Sequence, residues 1–373
     1  MDWAGWVIGA IIGAVFGLLI QNIAFPSTSR RLAEWRRRRF FAEANRAWDA
    51  VERGHPNLFL VQAGWDRSGC FPPGSVIFRL DDTFELSDGR LARLRDDHTH
   101  QWTADDFKDA EQAGISSISI TRVSDRPDDE QHGRSHHMRL MMHTYRYFDH
   151  LATHLLRLTG TDAEKAILNA AAGNVTPGAA LDSFPNPCSV GLSVFCEDGT
   201  HLALTRRTTN PGAGGHSHAG KTYNAVGESV APRDFAVALD GSLESSPDVV
   251  ARRGLYEELG LTVNDIAMCA INIHSFAWSS DILDHKFFGM AITPLSRAEI
   301  QDRWRNAPDR SETIGNELAF RPVQTRSECL RLLETIKENS DEWAPEAAFS
   351  SIRSLLTLRR VAPADVTKIL GGP

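Results

Sequence analysis

Cysteine is scarce. The five residues Cys70, Cys188, Cys196, Cys269 and Cys329 are scattered, with no C-x-x-C pair and no histidines at zinc-site spacing. That excludes a zinc ribbon or a disulfide framework and predicts buried free thiols in a reducing compartment. No internal repeat is present, so a repeat architecture is not expected. Positive charge is not in excess either. The formal net charge is -8, and the basic residues crowd into one short stretch, which excludes a general nucleic-acid binder. The most consequential absence is local: the 23 residues from Trp3 to Phe25 contain no charged side chain.

At ~1.5 Å rise per residue such a run is long enough to cross the hydrocarbon core as a helix with every backbone polar group bonded internally. Arg30, Arg31, Arg36, Arg37, Arg38 and Arg39 follow it, whereas only Asp2 precedes it. The positive-inside tendency then predicts a single-pass inner-membrane protein with its amino terminus outside and its soluble part in the cytoplasm. A cleaved signal peptide would need basic residues before the run and a small-x-small site after it, and both are missing. Gly5, Gly9, Gly13 and Gly17 lie along one ridge, where two backbones approach closely, so the anchor is expected to form a homo-oligomer. Trp3, Trp6 and Trp35 suit the interfaces, and the arginines would also attract anionic membrane lipid.

Behind this anchor and basic segment (1–39) the chain has room for two domains. Its 42% apolar and 24% charged residues are those of a folded protein rather than a disordered tail. Residues 40–175 read as a mixed α/β domain. Strands are expected over Leu58 to Ala63, Val76 to Leu80 and Ile115 to Val123, and helices over His136 to Leu158 and Thr161 to Ala172. Its histidines (His132, His136, His137, His143, His150 and His154) have no acidic partner at metal-site spacing and are read as solvated or structural rather than as a metal site. Asn174 to Pro187 reads as a linker into the last domain, 188–373.

Chemistry concentrates there. Ser189 to Cys196 and His201 to Thr208 alternate as strands about an Asp198-Gly199 turn, and a further strand, Thr222 to Val226, closes on Gly227-Glu228. Ser246, Pro247 and Asp248 suit a helix start, and Gly260 suits a left-handed stop after Leu259. On that helix Ala251, Leu255 and Leu259 form an apolar stripe, with Glu257 and Glu258 beside it. Arg253, four residues before Glu257, is placed to hold its carboxylate. Two acids on a rigid helix end suit a hard divalent cation that also binds phosphate oxygens.

The run Arg253-Gly254-Leu255-Tyr256-Glu257-Glu258-Leu259-Gly260-Leu261 resembles the core of the Nudix box, G-x5-E-x7-R-E-U-x-E-E-x-G-U with U aliphatic. The strands before it, and Trp343-Ala344-Pro345-Glu346-Ala347 opening a closing helix, fit that superfamily over roughly 188–362. The resemblance implies an α/β/α sandwich and hydrolysis of a nucleoside diphosphate linked to another group, with Mg2+ or Mn2+. It makes Glu257 and Glu258 metal ligands and Arg253 their structural partner. The sequence departs from the box twice. The glutamate after the arginine is Gly254, and the insert Ser229 to Pro247 lengthens the spacing from Gly227. Glu228, Glu244 and Glu317 are the candidates for the missing carboxylate. The Gly212 to Lys221 loop lacks the Gly-Lys-Ser/Thr ending of a P-loop. With His216, His218 and Lys221 it is nevertheless a candidate phosphate cradle, or else a plain surface loop. Arg206 and Arg207 point to opposite faces of their strand, so at most one of them, Arg206 by our assignment, joins the substrate site.

These readings combine into a membrane-anchored, metal-dependent hydrolase of a diphosphate-bridged nucleotide. The domain order resembles the membrane-tethered Nudix effectors of bacterial cyclic-oligonucleotide anti-phage systems, which implies a cyclic oligonucleotide activator sensed by the middle region. The alternative is a catalytically degenerate Nudix-fold module that binds nucleotide without cleaving it and signals when clustered by its transmembrane helix.

Overall fold

The computed structural model describes residues 58–66, 68–104, 108–123, 135–173, 178–208, 220–280, 283–313 and 318–370. The expected anchor and its arginines lie outside these residues. Among the described residues no helix is long and apolar enough to cross a membrane. The described chain is a mixed α/β fold built on two sheets.

The larger sheet has eight strands. Its path runs β1 (Leu58–Ala63), β11 (Ala270–Ser279), β12 (Asp284–Ile292), β5 (Cys188–Cys196), β6 (His201–Arg206) and β13 (Ala319–Pro322), with β7 (Thr222–Asn224) on β6 and β8 (Val226–Ser229) on β5. The β12–β5 pair is parallel and the other pairs antiparallel. All of β5 is buried, because helices cover both faces of the sheet. Val190, Leu192 and Val194 pack with Val250, Ala251, Leu255 and Leu259 of helix α4 (Pro247–Leu259). On the other face Phe195, Phe288 and Met290 pack with Phe349 and Ile352 of helix α8 (Pro345–Thr357). The expected box helix and closing helix therefore sandwich one sheet.

The smaller sheet runs β3 (Glu111–Val123), β4 (Ser135–Arg146), β2 (Val76–Thr83), β10 (Leu243–Ser245) and β9 (Ala236–Val237). Beside it α1 (Gly89–Ala104) and α3 (Asp162–Ala172) pack through Leu91, Leu94, Trp102 and Leu168. They enclose α2, formed by Tyr147–His150, a π-helical turn Leu151–Leu155 and Leu156–Thr159. Thr161 caps α3 in a reciprocal box with Glu164, as a Thr-x-x-Glu start requires. The remaining helices are α5 (Val263–Ala267), α6 (Arg297–Arg305), α7 (Arg326–Glu338) and α9 (Pro363–Leu370).

Two sequence expectations change here. The helix expected over His136 to Leu158 begins only at Tyr147. Met138, Leu140 and Met142 alternate into the core, and β3 and β2 flank that segment on its two edges. Backbone pairing on both sides outweighs the helix propensity of methionine and leucine, as tertiary context commonly does. The segments 40–175 and 188–373 also do not pack separately. β1 pairs with β11, and the insert Ser229 to Pro247 supplies β9 and β10, of which β10 pairs with β2. Phe78, Ile115, Met138 and Leu140 consequently share one core with Val190, Leu255 and Phe287.

All five cysteines are buried free thiols. His143 is held structurally, its Nε2 lying 2.8 Å from the Pro185 carbonyl oxygen. His285 is fully buried, stacked on Phe276, and burial pushes its pKa down to about 4, against a partly opposing hydrogen bond to the Gly178 carbonyl. An imidazole depressed below its unfolded pKa of ~6.5 contributes stability that is complete above that pH and lost as pH falls through about 4. His285→Asn should therefore flatten the acid limb of stability between pH 6.5 and 4, by up to ~1.4 kcal/mol per pH unit. Thermal melts of both proteins across that window measure it, and parallel limbs would disprove it.

Candidate functional site

The site forms where β8 runs under α4. Pro247 opens the helix after Ser246, and Gly260 closes it at φ 67°, where the Gly260 and Leu261 amides donate to the Tyr256 and Leu255 carbonyls. Gly254 faces the strand at very short range. A Cβ there would stand 2.6 Å from Val226 Cγ1 and 3.0 Å from Glu228 Cβ. The box departure thus has a packing cause: the side chain of Glu228 occupies the space over position 254. Of the three candidate replacements, the structure brings Glu228 to the helix. Glu244 pairs opposite Arg79 and Ala236 in the smaller sheet, and Glu317 lies outside the described residues.

Arg253 organises the acids. Its Nε and Nη2 donate to both carboxylate oxygens of Asp234 at 2.6 and 2.9 Å, and Nη2 also donates to the Ser229 carbonyl at 2.5 Å. Nη1 lies 2.7 Å from Glu257 Oε2 and 2.6 Å from Glu228 Oε1. Burial alone lowers the pKa of this guanidinium, but the hydrogen bond to Asp234 and the charges of Glu228 and Asp234 outweigh it, and the pKa is raised overall. The Asp234 side chain is only 1% exposed and also accepts from the Ala231 amide at 2.8 Å. Arg233, 62% exposed, adds a second donor to Glu257 at 3.0 Å.

Carboxylate oxygens of Glu228, Glu257 and Asp309 all lie within 4.8 Å of one another. Oxygens on opposite sides of one hard cation stand about 4–5 Å apart, so this donor set fits a single divalent ion. Asp309 is tied in through its backbone, its amide donating to the Glu257 carbonyl at 2.9 Å. Glu258 is buried and accepts from the Gly227 amide at 2.6 Å, and the three-acid group does not include it. The Arg206 Nε donates to the Gly220 carbonyl at 2.6 Å, holding the end of the glycine-rich loop, and Lys221 is half-buried beside it. His216 and His218 lie outside the described residues.

Sequence reasoning missed three residues, Arg233, Asp234 and Asp309. Asp234 stands seven residues after Gly227, close to where the box places its first glutamate, and that spacing was the available signal. Asp309 carries none: it follows α6 in a turn, and only folding brings it to α4. The chain matches no protein-family model, and no curated protein matches it.

Proposed function

We propose that the chain is a metal-dependent hydrolase of the Nudix type that cleaves a diphosphate linkage in a nucleotide. The observation that carries this reading is the position of Glu228, which stands over Gly254 and completes a three-acid group with Glu257 and Asp309. The layering of α4, the large sheet and α8 supports the family's α/β/α sandwich. Glu228, Glu257 and Asp309 would hold Mg2+ or Mn2+. When bound, the ion would neutralise diphosphate charge and lower the pKa of a water nucleophile. Arg253 fixes Glu257 and Glu228 in place, Asp234 fixes Arg253, and the exposed Arg233 offers a cation to a phosphate entering beside Glu257. Glu258, whose carboxylate accepts from the Gly227 amide, is the remaining acid of the box.

The charge-free run of Trp3 to Phe25 and the arginines behind it support a single-pass anchor in the inner membrane, and its glycine ridge supports a homo-oligomer. The pairing of β10 with β2 supports communication between the middle region and the box helix, as a cyclic oligonucleotide activator would need. One observation favours the non-cleaving nucleotide-binding module instead. Glu257 Oε2 is shared by two arginines, which neutralise it without a metal.

The test uses the full chain in detergent with NAD, ADP-ribose, nucleoside triphosphates and dinucleoside polyphosphates, with Mg2+ and Mn2+ and with and without cyclic oligonucleotides. Turnover is expected, with Glu257→Gln and Glu228→Gln lowering kcat by roughly 10²–10³ while melting temperatures show both variants folded. Metal-independent nucleotide binding without turnover of any substrate would establish the module.

A further inference from the structure

Helix α8 is buried on nearly every side, and beside its apolar contacts with the large sheet it makes several polar ones. The Ser350 hydroxyl pairs with that of Ser193 at 2.9 Å. The Ser354 hydroxyl pairs with His274 Nε2 at 3.1 Å, and His274 Nδ1 with the Ser275 hydroxyl at 3.0 Å. Arg353, between these serines, is the exception. It is 3% exposed, and among the described residues its Nε has no hydrogen-bond partner and no carboxylate pairs with its guanidinium.

Arginine does not shed its proton inside a protein, so this charge has to be matched. The groups that feel it are neutral. Burial pushes the Cys70 thiol up to about 11 and the His274 imidazole well below its usual range. The acid of the neighbouring turn, Asp66, already accepts through Oδ1 from the Ser68 amide and hydroxyl and from the Cys70 amide. That turn sits on β11, with the Gly64 and Phe71 amides donating to the His274 and Ile273 carbonyls.

We propose that Arg353 is the centre of an oxyanion site, suited to a phosphate group, between α8, the His274 region of β11 and Cys70. The planar guanidinium fork matches two phosphate oxygens at once. The site lies on the α8 face of the sheet, whereas α4 and its acids occupy the opposite face, so it is separate from the hydrolytic reading and independent of it.

The test is thermal unfolding of the full chain in detergent and EDTA, titrated with inorganic phosphate at ionic strength held constant with chloride. The melting temperature should climb with the logarithm of phosphate concentration, the folding equilibrium moving about 100-fold at 100 times Kd. Arg353→Met should begin at or above the phosphate-free wild-type value, because an uncompensated charge is gone, and should not respond to phosphate. Arg353→Lys, which lacks the fork, should keep only part of the response. A flat wild-type titration, or an unchanged response in Arg353→Met, overturns the proposal. Should Arg353→Met fail to fold, equilibrium dialysis of the wild type against radiolabelled phosphate decides: one bound phosphate per chain supports the site, and less than a tenth refutes it.

Discussion

Gly254→Glu, which puts the glutamate of the Nudix pattern at this position, is expected to cost about 3 kcal/mol of stability and, on the proposed hydrolytic reading, to add no rate. Two terms oppose each other. Replacing a glycine inside a helix relieves ~1 kcal/mol of unfavourable propensity. Against that, the first added carbon would stand 2.6 Å from Val226 Cγ1 and 3.0 Å from Glu228 Cβ, both on a strand with no freedom to retreat because β8 is paired to β5. Overpacking of this kind costs roughly 1–3 kcal/mol for single methylenes, and glutamate brings a further methylene and a carboxylate, a second negative charge beside Glu228. Gly254→Ala isolates the first carbon and should lose about 1–2 kcal/mol net. Urea denaturation of the three proteins measures both values. A Gly254→Glu protein as stable as the parent would show that α4 can stand off from β8, and with that the case for Glu228 as the substitute acid would fall.

Arg253→Met should be the most damaging single replacement, at roughly 3–5 kcal/mol, because it strands three acids at once. Asp234 is almost wholly enclosed, so losing the two-pronged contact leaves a buried charge rather than a solvated one, and Glu228 and Glu257 lose their shared cation. Asp234→Asn alone should cost somewhat less, since its amide still accepts one bond from the arginine. Because the two residues act as one unit, the double variant should fall short of the sum of the singles by about 1–3 kcal/mol. A cycle of four urea titrations reads that coupling directly, and strict additivity would mean that the contact contributes nothing to the fold.

The outline of the site was legible because it is local. Arg253, Glu257 and Gly260 are fixed by helical spacing and by a left-handed stop, both of which depend on short stretches of chain. The identity of the third acid was not, because the choice among Glu228, Glu244 and Glu317 turns on which strand lies under Gly254, and strand order is a long-range property. Asp309 is brought to α4 by folding, its amide donating to the Glu257 carbonyl. The fold divides in the same way. Thr161 and Gly173 bound α3 as their capping chemistry predicts. The segment 135–146 reads helical in isolation and becomes a strand because two neighbours supply its hydrogen bonds. Nothing in the spacing of the insert announced that it would leave the box and enlarge a different sheet.

That detour leaves the molecule with almost no slack at one point. Ser245 is still paired in the ladder opposite Phe78, and Pro247 is already the first residue of α4, so Ser246 alone joins strand to helix. Proline removes one of the few rotations that such a short joint has. Any sliding or tilting of β2 is therefore transmitted to the first turn of α4 without a loop to absorb it. The same rigid rod carries Arg253 and Glu257 further along its length, so a small lever stroke at the smaller sheet shifts the acids relative to Glu228, which β8 holds still.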